Sequence, residues 1–209
     1  MSEIEEPSRR RRCRKKPQRF HEVVDQEPRP SSKPERRKNS IVVVEKIEDE
    51  GAISRVLGGL ASPRSAALLD AVTALTLEAL PLDQEHIDYL LDEAGTATFV
   101  AHSADDLVLG GACVRRAHSS LFQLSFLAVD PENRGKRLGA RLLKRVLHHA
   151  RHYRVTRVAA YADHTALDFF EKHGFHAATL PDYLFSSLDQ YTLSTLVVAN
   201  VDAALKLIA

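Results

Sequence analysis

The stretch Val129-Asp130-Pro131-Glu132-Asn133-Arg134-Gly135-Lys136-Arg137-Leu138-Gly139-Ala140 joins an apolar run to an amphipathic one. Its glycines let a ligand come close to the backbone. The start of a helix offers N–H groups with no partner inside the helix, together with the positive end of the helix dipole. That combination suits a pyrophosphate. Arg134, Lys136, Arg137 and Arg141 bring positive charge to the same place. The same residues also describe an ordinary glycine-containing loop ahead of a basic helix. Taken alone, the stretch leaves both readings open.

The elements around this turn follow from apolar spacing. Residues 120–129 read as a strand that ends at Asp130-Pro131, and residues 139–153 as a helix. In that helix Leu142, Leu143, Val146, Leu147 and Ala150 form one face, with Arg and Lys outside. Residues 155–161 form the next strand, so the segment 120–161 is a strand–loop–helix–strand unit. Upstream, order starts at the β-branched run Ile41-Val42-Val43-Val44. Gly58-Gly59 and Ser62-Pro63 mark a loop. A helix carries Leu68, Leu69, Val72, Leu75, Leu77 and Leu80 and stops at Pro81. A shorter helix covers 83–91, capped by Asp83, with Ile87 and Leu90 inward. Residues 96–102 and 107–115 make a hairpin around Ser103-Ala104-Asp105-Asp106. Downstream, residues 166–173 form a helix closed by Gly174. Strands over 177–185 and 191–198 follow, then a terminal helix over 202–208. The order of elements predicts a mixed α/β sheet rather than an all-parallel one.

Composition bounds the setting. Hydrophobic residues make up 44% of the 209 residues, enough for a real core. The net charge of +1 hides a division between a basic start and a mildly acidic remainder. Residues 1–39 hold 13 Lys/Arg against 7 Asp/Glu, and residues 40–209 hold 16 against 21. The first segment is rich in proline and charge and poor in large apolar residues, which predicts a disordered tail. Its run Arg9-Arg10-Arg11-Arg12-Cys13-Arg14-Lys15-Lys16 reads as a nuclear-localisation or nucleic-acid-contacting patch, or as a plain solvated tail. Residues 40–209 are expected to form one domain. Cys13 and Cys113 lie far apart, with no disulfide framework and no metal-ligand spacing, which suits a reducing compartment. No apolar run has the length to span a bilayer, and no secretory signal is legible.

The turn and a downstream segment together resemble the GNAT superfamily of N-acetyltransferases. Arg134-Gly135-Lys136-Arg137-Leu138-Gly139-Ala140 is similar to the family's acetyl-CoA signature, Arg/Gln-x-x-Gly-x-Gly/Ala. Arg137 stands where the signature has its first glycine. Tyr161-Ala162-Asp163, the pair Phe169-Phe170 and Lys172-His173-Gly174-Phe175 resemble a second family segment and, within the family, the PCAF-type histone acetyltransferases. The resemblance covers about residues 68–198. It implies a mixed, mostly antiparallel sheet flanked by helices, with a strand pair that splays to admit acetyl-CoA. It further implies that Leu127, Ala128 and Val129, the turn residues Arg134, Gly135, Lys136, Arg137, Leu138, Gly139 and Ala140, and Ala166, Phe169 and Phe170 contact that cosubstrate.

The resemblance also exposes a gap. A lysine ammonium must lose a proton before it attacks a thioester, and PCAF-type enzymes place a glutamate on the strand that enters the site. Here that position is Gln123, isosteric but unable to accept a proton at physiological pH. Asp163 and Tyr161, at the end of the next strand, are the other candidates for the chemistry. His118, His164 and Glu132 are further bases that would act through water. Asp83, Glu85, Asp88, Asp92, Glu93, Asp105 and Asp106 either flank a groove for a Lys-rich tail or form a solvated face. The expected function is acetyl-CoA-dependent acetylation of protein lysines in the nucleus, on histones or other chromatin proteins. The alternatives are an acetyl-CoA-binding pseudoenzyme that serves as a subunit of a nuclear complex, and a small-molecule amine acetyltransferase.

Overall fold

The computed structural model describes residues 42–46, 52–57, 63–93 and 95–208. The predicted tail, residues 1–39, lies outside them. The described elements run β1 (Val42–Lys46), β2 (Ala52–Leu57), α1 (Pro63–Ala79), α2 (Gln84–Asp92), β3 (Ala97–His102), β4 (Val108–His118) and β5 (Leu121–Val129). After a single turn of tighter helix at Pro131–Asn133 come α3 (Leu138–His152), β6 (Arg157–Ala162), α4 (Leu167–Lys172), β7 (Phe175–Ala177), α5 (Asp182–Phe185), β8 (Thr195–Asn200) and α6 (Val201–Leu207).

One sheet holds these strands in the order β1-β2-β3-β4-β5-β6-β8-β7. Every neighbouring pair is antiparallel except β5 and β6, which run parallel. A parallel neighbour needs a long crossover, and α3 supplies it. The architecture is the mixed, mostly antiparallel α/β sheet that the sequence predicts.

Alternation along the strands loads both faces. Phe99 and Ala101 point to a core that contains Leu142, Leu143, Val146, Leu147 and Ala150 of α3, and Val100 points to one made with Leu68, Leu69 and Val72 of α1 and Ile87, Leu90 and Leu91 of α2. A third cluster, Leu121, Ala159, Leu180, Leu184 and Leu188, lies on the α1 and α2 side, because Leu121 and Ala159 alternate with Phe122 and Val158 of the α3 core. Asp83 caps α2 as expected, its carboxylate accepting from the His86 N–H at 2.7 Å.

Three elements differ from the sequence reading. Strand β2 has no predicted counterpart, because buried Ser54 and half-buried Arg55 interrupt its apolar pattern. Ser54 is satisfied across the sheet by His102, Oγ to Nε2 at 2.8 Å. The predicted strand over 177–185 is instead the end of β7, a loop and the short helix α5. Leu180, Leu184 and Leu188 recur every four residues, a helical period rather than a strand's, and Pro181 opens the turn. The predicted strand over 191–198 starts only at Thr195, because Leu193 is left-handed (φ 59°) and breaks extended backbone. Pro63 opens α1 rather than a loop; at the first helical position its missing N–H costs nothing.

Candidate active site

Strand β5 pairs with β6 only from Leu121–Leu124 against Arg157–Ala160. Beyond Leu124, β5 stays with β4 up to the Val129–Gly110 pair, while β6 stays with β8 up to Ala162–Thr195. The two strands therefore part, and the β6-facing backbone of residues 125–129 has no ladder partner. The parting coincides with a shift in β4–β5 register, where Cys113 pairs with Phe126 but Val114 with Leu124. Ser125 is the extra residue. Its buried Oγ has no hydrogen-bond partner among the described residues.

A cleft of about 870 Å³ occupies this gap. Leu127, Ala128, Val129, Arg134, Gly135, Arg137, Leu138, Gly139, Ala140, Ala166 and Phe169, all expected from the sequence, line it. Asp163 lines it as well. Lys136 and Phe170 do not. Lys136 donates to Asn133 Oδ1 at 2.9 Å within the turn. Phe170 turns into the core against Phe175, ring centroids 5.3 Å apart. Sequence reasoning missed Ala79 and Leu80 at the end of α1 and Leu207 and Ile208 at the other end of the chain. No local pattern marks these four, because only the fold brings them to the cleft.

The turn has a defined construction. The Arg134 guanidinium Nε donates to the Val129 carbonyl at 3.2 Å and ties the turn back to β5. Gly135 and Arg137 are both left-handed, at φ 78° and 61°. For arginine that conformation costs roughly 1–2 kcal/mol, which is why a glycine is the usual occupant of Arg137's place in the signature. The first turn of α3 then presents its free N–H groups to the cleft. Gly139 keeps that approach open, since a Cβ there would stand 3.3 Å from the Phe169 ring. Unpartnered amides, a helix start and exposed Arg134 and Arg137 fit a pyrophosphate.

A model of the GNAT acetyltransferase domain matches residues 74–184, more than half of the chain. The chain belongs to the GNAT acetyltransferase family. It is an N-acetyltransferase whose cosubstrate is acetyl-CoA. No curated protein matches it in sequence. Among solved structures, Tetrahymena GCN5 is similar over 67% of this chain and 90% of its own, at 22% identity and a TM-score of 0.61. The catalytic domain of Tetrahymena GCN5 histone acetyltransferase in complex with coenzyme A gives the same TM-score of 0.61 at 21% identity, covering 74% and 95%. N-acetylglutamate synthase from Neisseria gonorrhoeae, with coenzyme A and N-acetyl-glutamate, gives 0.53 at 20% identity, covering 71% of this chain and 35% of that one.

The acid–base candidates of this acetyltransferase are spent in other ways. Gln123 is fully buried. Its Oε1 accepts from Arg115 at 2.8 Å and from the Asp189 N–H at 2.9 Å, and its Nε2 donates to the Asp189 carbonyl at 3.0 Å. Arg115 also donates through Nε to Asp189 Oδ2 at 2.8 Å and through Nη2 to the Ser187 carbonyl at 3.0 Å. Gln123 thus clamps the 187–189 loop and is not poised for an incoming amine. Asp163 Oδ1 accepts from the Thr165 hydroxyl and N–H, both at 2.7 Å, and from the Ala166 N–H at 2.9 Å. These bonds, the Thr165 hydroxyl foremost, hold its carboxyl below the usual range and make it a poor base. Tyr161 donates to Gln190 Oε1 at 2.8 Å, and burial raises its phenol above the ordinary value.

The remaining candidates lie away from the cleft. His118 pairs with Leu121 at the far end of β5, eight residues or about 27 Å of strand from Val129. His164 and Glu132 are exposed and do not line the cleft. Two of the acidic residues have structural tasks. Asp83 caps α2, and Asp106 pairs with Arg64 at 2.6 Å.

Proposed function

We propose that this acetyltransferase modifies lysine side chains of proteins, histones or other chromatin proteins, in the nucleus. The observation that carries the reading is the likeness to the catalytic domain of a histone acetyltransferase over nearly all of that domain. The basic run Arg9 to Lys16 agrees with it: net positive charge at the start of the chain favours nuclear import and salt-sensitive contact with nucleic acid. Acetyl-CoA supplies the acetyl group as a thioester. The first turn of α3, with Arg134 and Arg137, holds its pyrophosphate. Backbone groups of residues 125–129 face the pantetheine arm and offer preorganised donors where negative charge develops on the carbonyl oxygen. Positioning the amine beside the thioester supplies much of the rate gain, with no covalent enzyme intermediate.

Incubating the full chain with acetyl-CoA and histone-tail peptides, read by mass spectrometry, tests the reading. Acetylated lysine is the expected result. Acetylation of free glutamate or polyamines with none on peptides would replace the protein substrate by a small amine. Coenzyme A binding with no transfer would favour an inactive subunit of a nuclear complex. Deleting residues 1–39 is expected to remove nuclear accumulation, and unchanged localisation would overturn the tail's role.

A further inference from the structure

The cleft runs through the sheet. At one end are the first turn of α3 and Phe169 of α4, on the face that packs under α3. At the other are Ala79 and Leu80, beside the α1–α2 junction on the opposite face. An arm anchored at the α3 turn therefore delivers its far end to the α1 and α2 side. There His86, in the first turn of α2, stands with Nε2 2.9 Å from the Tyr191 hydroxyl oxygen, the rings edge-on at 5.7 Å. The Tyr191 ring is 5.5 Å from that of Tyr161, the first residue of β6 past the last β5–β6 pair. Tyr161 alternates with Ala160 and Ala162, which face α3, so it points to the α1 and α2 side. Tyr161, Tyr191 and His86 thus form a bridge from β6 to α2 on the α1 and α2 side of the sheet, beyond the residues that line the cleft. Both His86 and Tyr191 are half-buried.

We propose that Tyr191 and His86 act together as the proton relay for the acceptor amine. The proposal rests on the acceptor being an amine, as the acetyltransferase activity requires. As the amine nitrogen bonds to the acetyl carbon, its N–H becomes acidic. That proton passes to Tyr191 Oη while the phenol's own proton passes to His86 Nε2, 2.9 Å away. The His86 imidazolium returns a proton through the same hydroxyl to the sulfur as the C–S bond breaks. One N–C bond forms, one C–S bond breaks, and one proton moves from nitrogen to sulfur. No oxidant or further reactant is needed.

The surroundings favour a relay over a phenolate. Burial first, and then the Asp189 charge, holds the Tyr191 phenol well above its ordinary value, so it works as a hydroxyl that passes a proton on. The other charged or titratable groups around Tyr191 are Cys113, Arg115 and Tyr161. On His86's own helix, Asp83 binds the His86 backbone N–H rather than its ring. Gln123 is held in the Arg115–Asp189 clamp, and Asp163 Oδ1 already accepts three hydrogen bonds.

The test compares the full-length chain with His86→Ala and Tyr191→Phe, measuring coenzyme A affinity by calorimetry and acetyl transfer to a histone-tail peptide and to a small primary amine. Rates are followed from about pH 6.5 to about 9.5, toward the pKa of a free lysine. Both variants are expected to keep the wild-type coenzyme A affinity, which shows that they fold, and to lose about 10²-fold or more in kcat. Their rates should climb more steeply with pH, because hydroxide must take the proton that the relay no longer removes. Added imidazole should restore part of the rate to His86→Ala and none to Tyr191→Phe. Variants within threefold of wild type, with an unchanged pH profile on a substrate the wild type acetylates, would overturn the relay and leave the substrate reading standing. Transfer to the small amine alone would overturn the protein substrate, and the relay is then judged by the same criteria on that amine. A wild-type chain that binds coenzyme A and acetylates neither would overturn both.

Discussion

The two ends of the cleft are built on different principles. At the α3 end, recognition is left to backbone: amides of one helical turn, a glycine that keeps a ring at bay, and arginines on the outside. At the α2 end almost every polar side chain already has a partner, in the Arg115–Gln123–Asp189 clamp and the Tyr161–Gln190 and His86–Tyr191 pairs. A backbone site tolerates a side-chain exchange, as Arg137 shows by standing where glycine is usual. A side-chain network does not, because removing one member leaves its partners buried and unpaired. The cosubstrate end can therefore stay fixed while the acceptor end is rebuilt.

The largest expected effect is at the backbone end. Gly139→Leu drives a side chain into Phe169 and over the free amides. Coenzyme A affinity should fall on the order of 10³-fold, about 4 kcal/mol, by calorimetry, while the 187–191 loop stays as it is. A fall of less than tenfold would mean that the amides of α3 are not the anchor.

Next comes an effect that involves neither end and must be separated from both. Burial, and then the Arg55 charge, pushes the His149 imidazole down to about 4. A histidine buried neutral binds its proton more readily when unfolded, so stability is full above the ordinary value of about 6.5 and is lost as pH falls toward about 4. The loss is on the order of 3 kcal/mol. His149→Leu should flatten urea-unfolding stability across that range. If wild type and variant lose stability in parallel, another group is responsible.

At the side-chain end, Arg115→Ala strands the Asp189 carboxylate and removes one of the two donors to Gln123 Oε1. It should cost about 2 kcal/mol of stability and raise the acceptor KM, with coenzyme A affinity unchanged. A matching loss of coenzyme A affinity would show that the ends are coupled. The smallest effect is expected from Gln123→Glu, which the family resemblance alone would treat as restoring a base. Here the new carboxylate would lie against Arg115, which keeps it ionised and paired, and would lose the donor to the Asp189 carbonyl. Acetylation is expected to change less than threefold near pH 7. A tenfold gain would make this position the base and displace the His86–Tyr191 relay.

What the sequence made legible follows the same division. The turn from Val129 to Ala140 is continuous in the chain, so residue types and spacing reveal it, down to the left-handed position that Arg137 fills. Apolar periodicity likewise placed α3 and its buried face. The acceptor end joins residues far apart: His86 and Tyr191 are separated by 105 positions, Arg115 and Asp189 by 74, Gln123 and Asp189 by 66. No local pattern marks such partners. The same blindness made the 177–185 segment look like strand, because its leucines cover a cluster supplied by β5 and β6.

Amide hydrogen exchange of the full-length chain with and without coenzyme A tests the division most directly. The expected result is protection over residues 127–140 and 163–173 on binding, with residues 84–92 and 187–191 unchanged. Protection confined to 84–92 and 187–191, with none in the α3 turn, would contradict it.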